Sequence, residues 1–219
     1  MALDAGAVRA NLEAVRDEIA ATGRDPAAVE VVAAVKYVEL EDLGALAEAG
    51  ITTVGENRAQ ELVRKAEAFP GFTWDFIGQL QSRKVKTIAP VVRCIHSVGS
   101  DSAIAQLAKL DERPRLLVQV NIAGEEGKAG FAPADLDRVL GGEVAFDGLM
   151  VMPPLAEEPE DSRRWFAAAR ELAAQHGLHH LSMGTTQDFP VAVEEGATMI
   201  RVGSRLYTTP AGRNSAAKG

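Results

Sequence analysis

One pattern constrains this chain more than any other. Eight times, a short apolar, β-branched run gives way to a polar turn and then to a stretch with helical spacing. VEVVAAV (Val29–Val35) leads into ELEDLGALAEAG, which Gly50 closes, and TTVG leads into ENRAQELVRKAEAF. WDFIG precedes QSRKVKTIAP, RCIHSV precedes SDSAIAQLAKL, and RLLVQVNI precedes PADLDRVLG. AFDGLMV precedes SRRWFAAARELAAQHG, HHLSMG precedes QDFPVAVEEG, and TMIRVG precedes SRLYTT. Strands separated by helices pair in parallel through helical crossovers. Eight such units in 219 residues predict an α/β protein, a single closed (β/α)8 TIM barrel close to the lower size limit of that fold. The alternative is a doubly wound open sheet, which wants a glycine-rich turn after its first strand. AAVKYVEL offers no glycine there.

An extra amphipathic helix is predicted before the first strand, from about Ala5 to Thr22, with Val8, Leu12, Val15 and Ile19 on one face. The barrel domain is predicted over residues 1–210, and the small, polar AGRNSAAKG at 211–219 reads as a disordered tail.

Composition excludes several function classes. Hydrophobic residues make up 47% and charged residues 25%, as in ordinary globular proteins. A net charge of −8 and a pI near 5.1 do not suit a phosphate-backbone surface, so no nucleic acid is expected as a partner. SRKVK (Ser82–Lys86), the densest basic patch, reads as a solvated helix face. The single Cys94 excludes an intramolecular disulfide and a multi-cysteine zinc site, and its apolar setting reads as a buried structural thiol. No targeting signal or membrane span is visible, which predicts a cytoplasmic protein without membrane attachment.

In a barrel, function gathers at the C-terminal ends of the strands. Those ends carry Lys36, Gly55-Glu56-Asn57, Gly78-Gln79, His96-Ser97, Asn121, Met150–Met152, Ser182-Met183-Gly184, and Arg201 with Gly203-Ser204. The set is polar and glycine-rich while the runs leading into it are apolar, which describes the mouth of a pocket. Lys36 has two readings. It is either a lysine snorkelling into water, or an amine desolvated against the core, with lowered pKa, that forms a Schiff base with a carbonyl.

The last two strands add a candidate phosphate cradle. LSMGTT offers Ser182, Gly184 and two threonines, and RVGSRLY opens a helix at Gly203 and Ser204 with N–H groups facing an anion. Helix capping by Ser204 and Thr186 is the plainer reading of the same residues. Arg201 should point into the mouth, where burial demands a carboxylate or a ligand atom as partner. His96 suits a structural role at least as well as a functional one. His179 and His180 lack metal-ligand spacing, and Glu125-Glu126 reads as a solvated charge run rather than a lid.

These residues also carry a resemblance. AVKYV, GENRAQELVRKA, WDFIGQLQSRKVK, IHSVGS, VQVNIAGEEGKAGF, FDGLMVM, LSMGTTQDF and EEGATMIRVGSRLY, in order from about Val29 to Tyr207, resemble the pyridoxal phosphate homeostasis proteins. Their barrel is similar to the N-terminal domain of alanine racemases. The resemblance implies pyridoxal 5′-phosphate as cofactor, with Lys36 forming the internal aldimine. It implies Asn57 lining the pocket, Ser182 and the Gly203-Ser204 turn at the phosphate, and Arg201 facing the pyridine nitrogen. The sequence departs from the family pattern at Val35, commonly Ser, at Thr185-Thr186-Gln187 in place of Met-Ser-Asp, and at EEGK in place of EESK. Asp188 and Phe189 keep their places.

The resemblance favours a non-catalytic module that holds pyridoxal phosphate and supplies it to apo-enzymes through transient contact. The alternative is a racemase-type enzyme. That chemistry needs a second acid/base, which fold-type relatives take from an additional C-terminal β domain and a partner subunit. Here the chain ends shortly after the eighth strand, and Tyr37 and Tyr207 are its only tyrosines, so neither racemase activity nor the racemase-type dimer is expected and a monomer is. An unrelated barrel enzyme using Lys36 on a sugar phosphate is held in reserve.

Overall fold

The computed structural model of the protein describes residues 3–208, so the tail expected at 211–219 lies outside the described residues. Eight parallel strands close into one barrel in chain order. They are β1 (Glu30–Ala34), β2 (Thr53–Glu56), β3 (Thr73–Phe76), β4 (Cys94–Val98), β5 (Arg115–Val120), β6 (Gly148–Val151), β7 (His180–Thr185) and β8 (Met199–Val202). The ring closes where β8 pairs with β1, with Val32 opposite Arg201. The predicted (β/α)8 barrel is therefore the observed fold.

Helices surround the sheet: α1 (Ala5–Ala21), α2 (Leu43–Glu48), α3 (Ala59–Ala68), α4 (Val85–Ile88), α5 (Asp101–Leu107), α6 (Leu136–Leu140), α7 (Arg163–Gln175), α8 (Phe189–Glu194) and α9 (Ser204–Tyr207). The extra helix α1 starts where the Asp4 carboxylate accepts the Ala7 N–H, and it buries the four predicted residues Val8, Leu12, Val15 and Ile19. Its buried Asn11 donates to the carbonyls of Leu206 (3.1 Å) and Thr208 (2.9 Å). Thus α1 pins the segment that follows β8, one wall of the barrel mouth.

Strand alternation separates two interiors. Leu116, Val118 and Val120 of β5 join the large apolar layer between sheet and helices, together with Ile95, Leu149, Leu181 and Ile200 from other strands and Phe166 from α7. The residues between them face the lumen. There Cys94, Leu117, Met150 and Met199 form a small separate plug, and burial pushes the Cys94 thiol up, as expected of a structural cysteine. The lumen also holds buried polar side chains, among them Asp75, His96, Ser182 and Arg201.

Candidate functional site

At the C-terminal ends of the strands the barrel opens into a cavity of about 670 Å3, a size suited to a small cofactor. Lys36, Asn57, Arg201, Gly203 and Ser204 all line it, so five of the six residues singled out in the sequence meet in one place. Thr185, Thr186, Gln187 and Tyr207 share the wall. A wider groove of about 830 Å3 lies elsewhere, between the 154–157 loop and α7, away from the strand ends.

Close backbone packing builds the mouth. A Cβ at Gly78 would sit 2.0 Å from the Asn57 carbonyl oxygen, so only glycine lets the turns after β2 and β3 touch. At Gly184 the backbone is left-handed (φ +87°), and a Cβ would also meet Ala192 at 2.6 Å. That turn carries Thr185, whose N–H (2.7 Å) and hydroxyl (3.1 Å) both donate to the Asp188 carboxylate.

A buried ion pair sets the other wall. Glu56 at the end of β2 is fully buried, and its Oε2 accepts from Lys65 Nζ at 2.7 Å. The same ammonium donates to the Val35 carbonyl at 2.7 Å, while Glu56 Oε1 accepts the Asn57 N–H at 2.7 Å. One ion pair therefore fixes the backbone beside Lys36 and beside Asn57 together. Sequence reading passed over this pair. Its only signal was a carboxylate at a strand end nine residues before a lysine on a helix.

Several expectations need correction. Of the two readings of Lys36, the structure favours the exposed one. The lysine lies two residues beyond β1, and its ammonium sits 4.6 Å from the centroid of the Tyr37 ring. Ser182 does not line the cavity. Strand β7 runs on to Thr185, so Ser182 lies within the strand, fully buried, with its hydroxyl taken by His96 Nδ1 (2.7 Å) and by Arg201 Nη1. The hydroxyls that reach the mouth are those of the next turn. The Gly203 N–H is not free either, because it donates to Thr186 Oγ1 at 3.1 Å.

Arg201 reaches the cavity floor. A serine hydroxyl and the Val151 carbonyl (3.0 Å) hold it instead of a carboxylate. Burial lowers its pKa to about 10, which leaves it charged at neutral pH. His96 is satisfied on both ring nitrogens, the second by Asp75 Oδ2 at 3.1 Å, and burial pushes its pKa below the usual imidazole value. The Glu125-Glu126 loop is tied down, since Asn121 bonds both the N–H and the carbonyl of Glu125, and Glu125 pairs with Lys128. His180 begins β7 and His179 is exposed, and no group of metal-ligating side chains occurs among the described residues.

The wall chemistry fits a small aromatic anion carrying an aldehyde. Two cations, Lys36 and Arg201, face a rim of threonine and serine hydroxyls. Two buried polar atoms, Asn57 Oδ1 and the Tyr207 hydroxyl, have no hydrogen-bond partner among the described residues. Such atoms cost free energy unless something fills the pocket.

Residues 3–210 match the family model described as alanine racemase, N-terminal domain. Over nearly the whole chain the sequence is 35% identical to the pyridoxal phosphate homeostasis protein of Aquifex aeolicus, covering 90% of this chain and 93% of that one. It is 37% identical to the protein of the same name from Deinococcus radiodurans, covering 91% and 99%. Among solved structures, PipY of Synechococcus elongatus with PLP bound superposes with a TM-score of 0.77 at 31% identity, covering 92% of this chain and all of that one.

Proposed function

Because the chain belongs to the alanine racemase N-terminal domain family, and within it to the pyridoxal phosphate homeostasis proteins, we propose that it is a non-catalytic carrier of pyridoxal 5′-phosphate. It acts in the cytoplasm as a monomer, holding the cofactor and releasing it to apo-enzymes during transient contact. The observation that carries this reading is the convergence of Lys36, Arg201 and a hydroxyl rim on one cavity with unsatisfied polar atoms in its wall.

Lys36 supplies the primary amine that anchors an aldehyde covalently and reversibly. Its position at the exposed rim leaves it open to an incoming amine or to water, which suits release as much as capture. Thr185, Thr186, Ser204 and the Gly203 turn receive the phosphate, and Asn57 and Tyr207 offer polar contacts to the ring substituents. Arg201 faces the ring nitrogen. When bound, the cofactor supplies an electron sink, and a permanent cation beside its ring nitrogen weakens that sink by disfavouring the pyridinium.

Three other proton-exchanging groups lie in the wall. Burial raises the Tyr207 phenol well above its ordinary pKa, the exposed Tyr37 ring lies beneath the Lys36 ammonium, and Asp42 accepts the Leu3 N–H at 2.9 Å. This supports holding rather than racemising.

The test is the absorption spectrum of protein loaded with pyridoxal 5′-phosphate. A visible band is expected in the wild type and not in Lys36→Ala, with no amino-acid racemisation by the loaded wild type. A band that survives in Lys36→Ala rejects the anchor, and clear turnover rejects the carrier role.

A further inference from the structure

The polar side chains of the lumen form one continuous hydrogen-bonded line from the cavity floor to the opposite end of the barrel. Arg201 Nη1 bonds Ser182 Oγ, Ser182 Oγ lies 2.7 Å from His96 Nδ1, and His96 Nε2 lies 3.1 Å from Asp75 Oδ2. Arg93 grips both Asp75 oxygens, Nε to Oδ1 at 3.1 Å and Nη2 to Oδ2 at 2.6 Å, and pairs with Glu30 at the start of β1. Ser182 and His96 belong to β7 and β4, which are not neighbours in the ring, so their bond is made across the lumen.

The chemistry of the two ends fixes the direction of every link. A carboxylate only accepts, so His96 Nε2 donates to Asp75, and in a neutral ring Nδ1 then accepts the Ser182 O–H while the Ser182 oxygen accepts from Arg201, which only donates. The single imidazole proton of the neutral ring thus sits on Nε2, facing Asp75. The Asp75 carboxylate, already accepting the Arg93 fork, accepts this proton too. The Ser182 hydroxyl and both ring nitrogens of His96 are each matched in this arrangement. The lowered basicity of buried His96 agrees with a neutral ring.

We propose that Asp75 and His96 are positioning residues for the cofactor site: acting through Ser182, they hold the Arg201 guanidinium in the orientation it presents to the ring of the bound cofactor. The role rests on the carrier reading above. It also explains why three buried polar residues sit in a lumen that apolar side chains normally fill. The link to Ser182 together with the Val151 carbonyl secures both terminal nitrogens of Arg201, so its approach to the pocket is decided by residues that never touch it.

The first test needs no cofactor. In protein labelled with 15N at histidine, His96 is expected as a neutral ring protonated on Nε2 at pH 7. An Nδ1–H tautomer or an imidazolium overturns the proposed chain. Asp75→Asn presents an amide N–H to the ring and is expected to switch the tautomer. Ser182→Ala cuts the line from the other end and serves should Asp75→Asn fail to fold. Loaded with pyridoxal 5′-phosphate, each variant is expected to keep the Lys36-dependent band with a shifted maximum, and to release the cofactor to a scavenging apo-enzyme about tenfold faster, the scale of one lost charge-assisted hydrogen bond. Band position and release unchanged from the wild type in Ser182→Ala reject the positioning role alone. A wild type without a Lys36-dependent band rejects the cofactor reading, and the positioning role with it, while the tautomer measurement still reports on the chain.

Discussion

The two faces of the same eight strands follow opposite rules. The outer face is a continuous apolar layer against the helices, whereas the lumen combines a small plug with a line of buried charges and hydroxyls. Apolar packing is non-directional and tolerates exchange of like volumes, so the outer layer supplies stability with little demand on residue identity. A buried polar line tolerates little, because each member leaves a partner unsatisfied when it is removed. The difference teaches where this molecule keeps its free energy and where it keeps its specificity.

Four changes break or sharpen that contrast, beginning with the largest. Phe166→Ala empties a fully buried site on α7 in the outer layer, and it is expected to cost about 4 kcal/mol in a urea titration. Cofactor binding by the surviving folded fraction should stay normal, and a lost visible band at low urea contradicts the separation of the two faces. Lys65→Met strands the buried Glu56 carboxylate, with an expected cost of about 3 kcal/mol. It should also weaken binding, since the same pair fixes the backbone beside Lys36 and Asn57, and normal binding in the folded fraction would disconnect that pair from the site.

The third change is one of pH. An unfolded imidazole takes up its proton near pH 6.5, whereas folded His96 resists until lower pH because burial penalises the cation. Between those values the unfolded state binds a proton that the native state refuses, so stability present above about pH 6.5 is lost as pH falls. His96 is expected to add a positive slope of stability against pH below about pH 6.5, with one proton's worth, about 1.4 kcal/mol per pH unit, as its upper bound. Urea titrations of wild type and His96→Gln test it, and parallel pH curves for the two refute the assignment. Arg138→Ala, which removes a fully exposed pair with Asp101, is the smallest change, and the melting midpoint should not move measurably.

Much of the site was legible because barrels put function at strand ends, and strand ends can be read from where β-branched runs stop. Lys36, Asn57, Arg201, Gly203 and Ser204, singled out on that ground, line one cavity. Ser182 was misplaced because a strand's last residue is set by its neighbours' register. The β7–β8 pairing shifts between Ser182 and Thr185, which draws the strand onward and leaves Ser182 inside. Register also decided between the two readings of Lys36, since the strand ends at Ala34 and the lysine emerges at the rim.

By itself the sequence determined the eightfold alternation, the amphipathic first helix and the polar character of the mouth, because these follow from local periodicity and turn chemistry. Only the closed barrel decided that Asp75, His96, Ser182 and Arg201 are one unit. These residues come from β3, β4, β7 and β8, up to 126 positions apart, and nothing in the local sequence around any one of them points to the others. Closure turns alternate side chains of every strand toward a common axis, and strands that never pair along their edges then meet across the lumen.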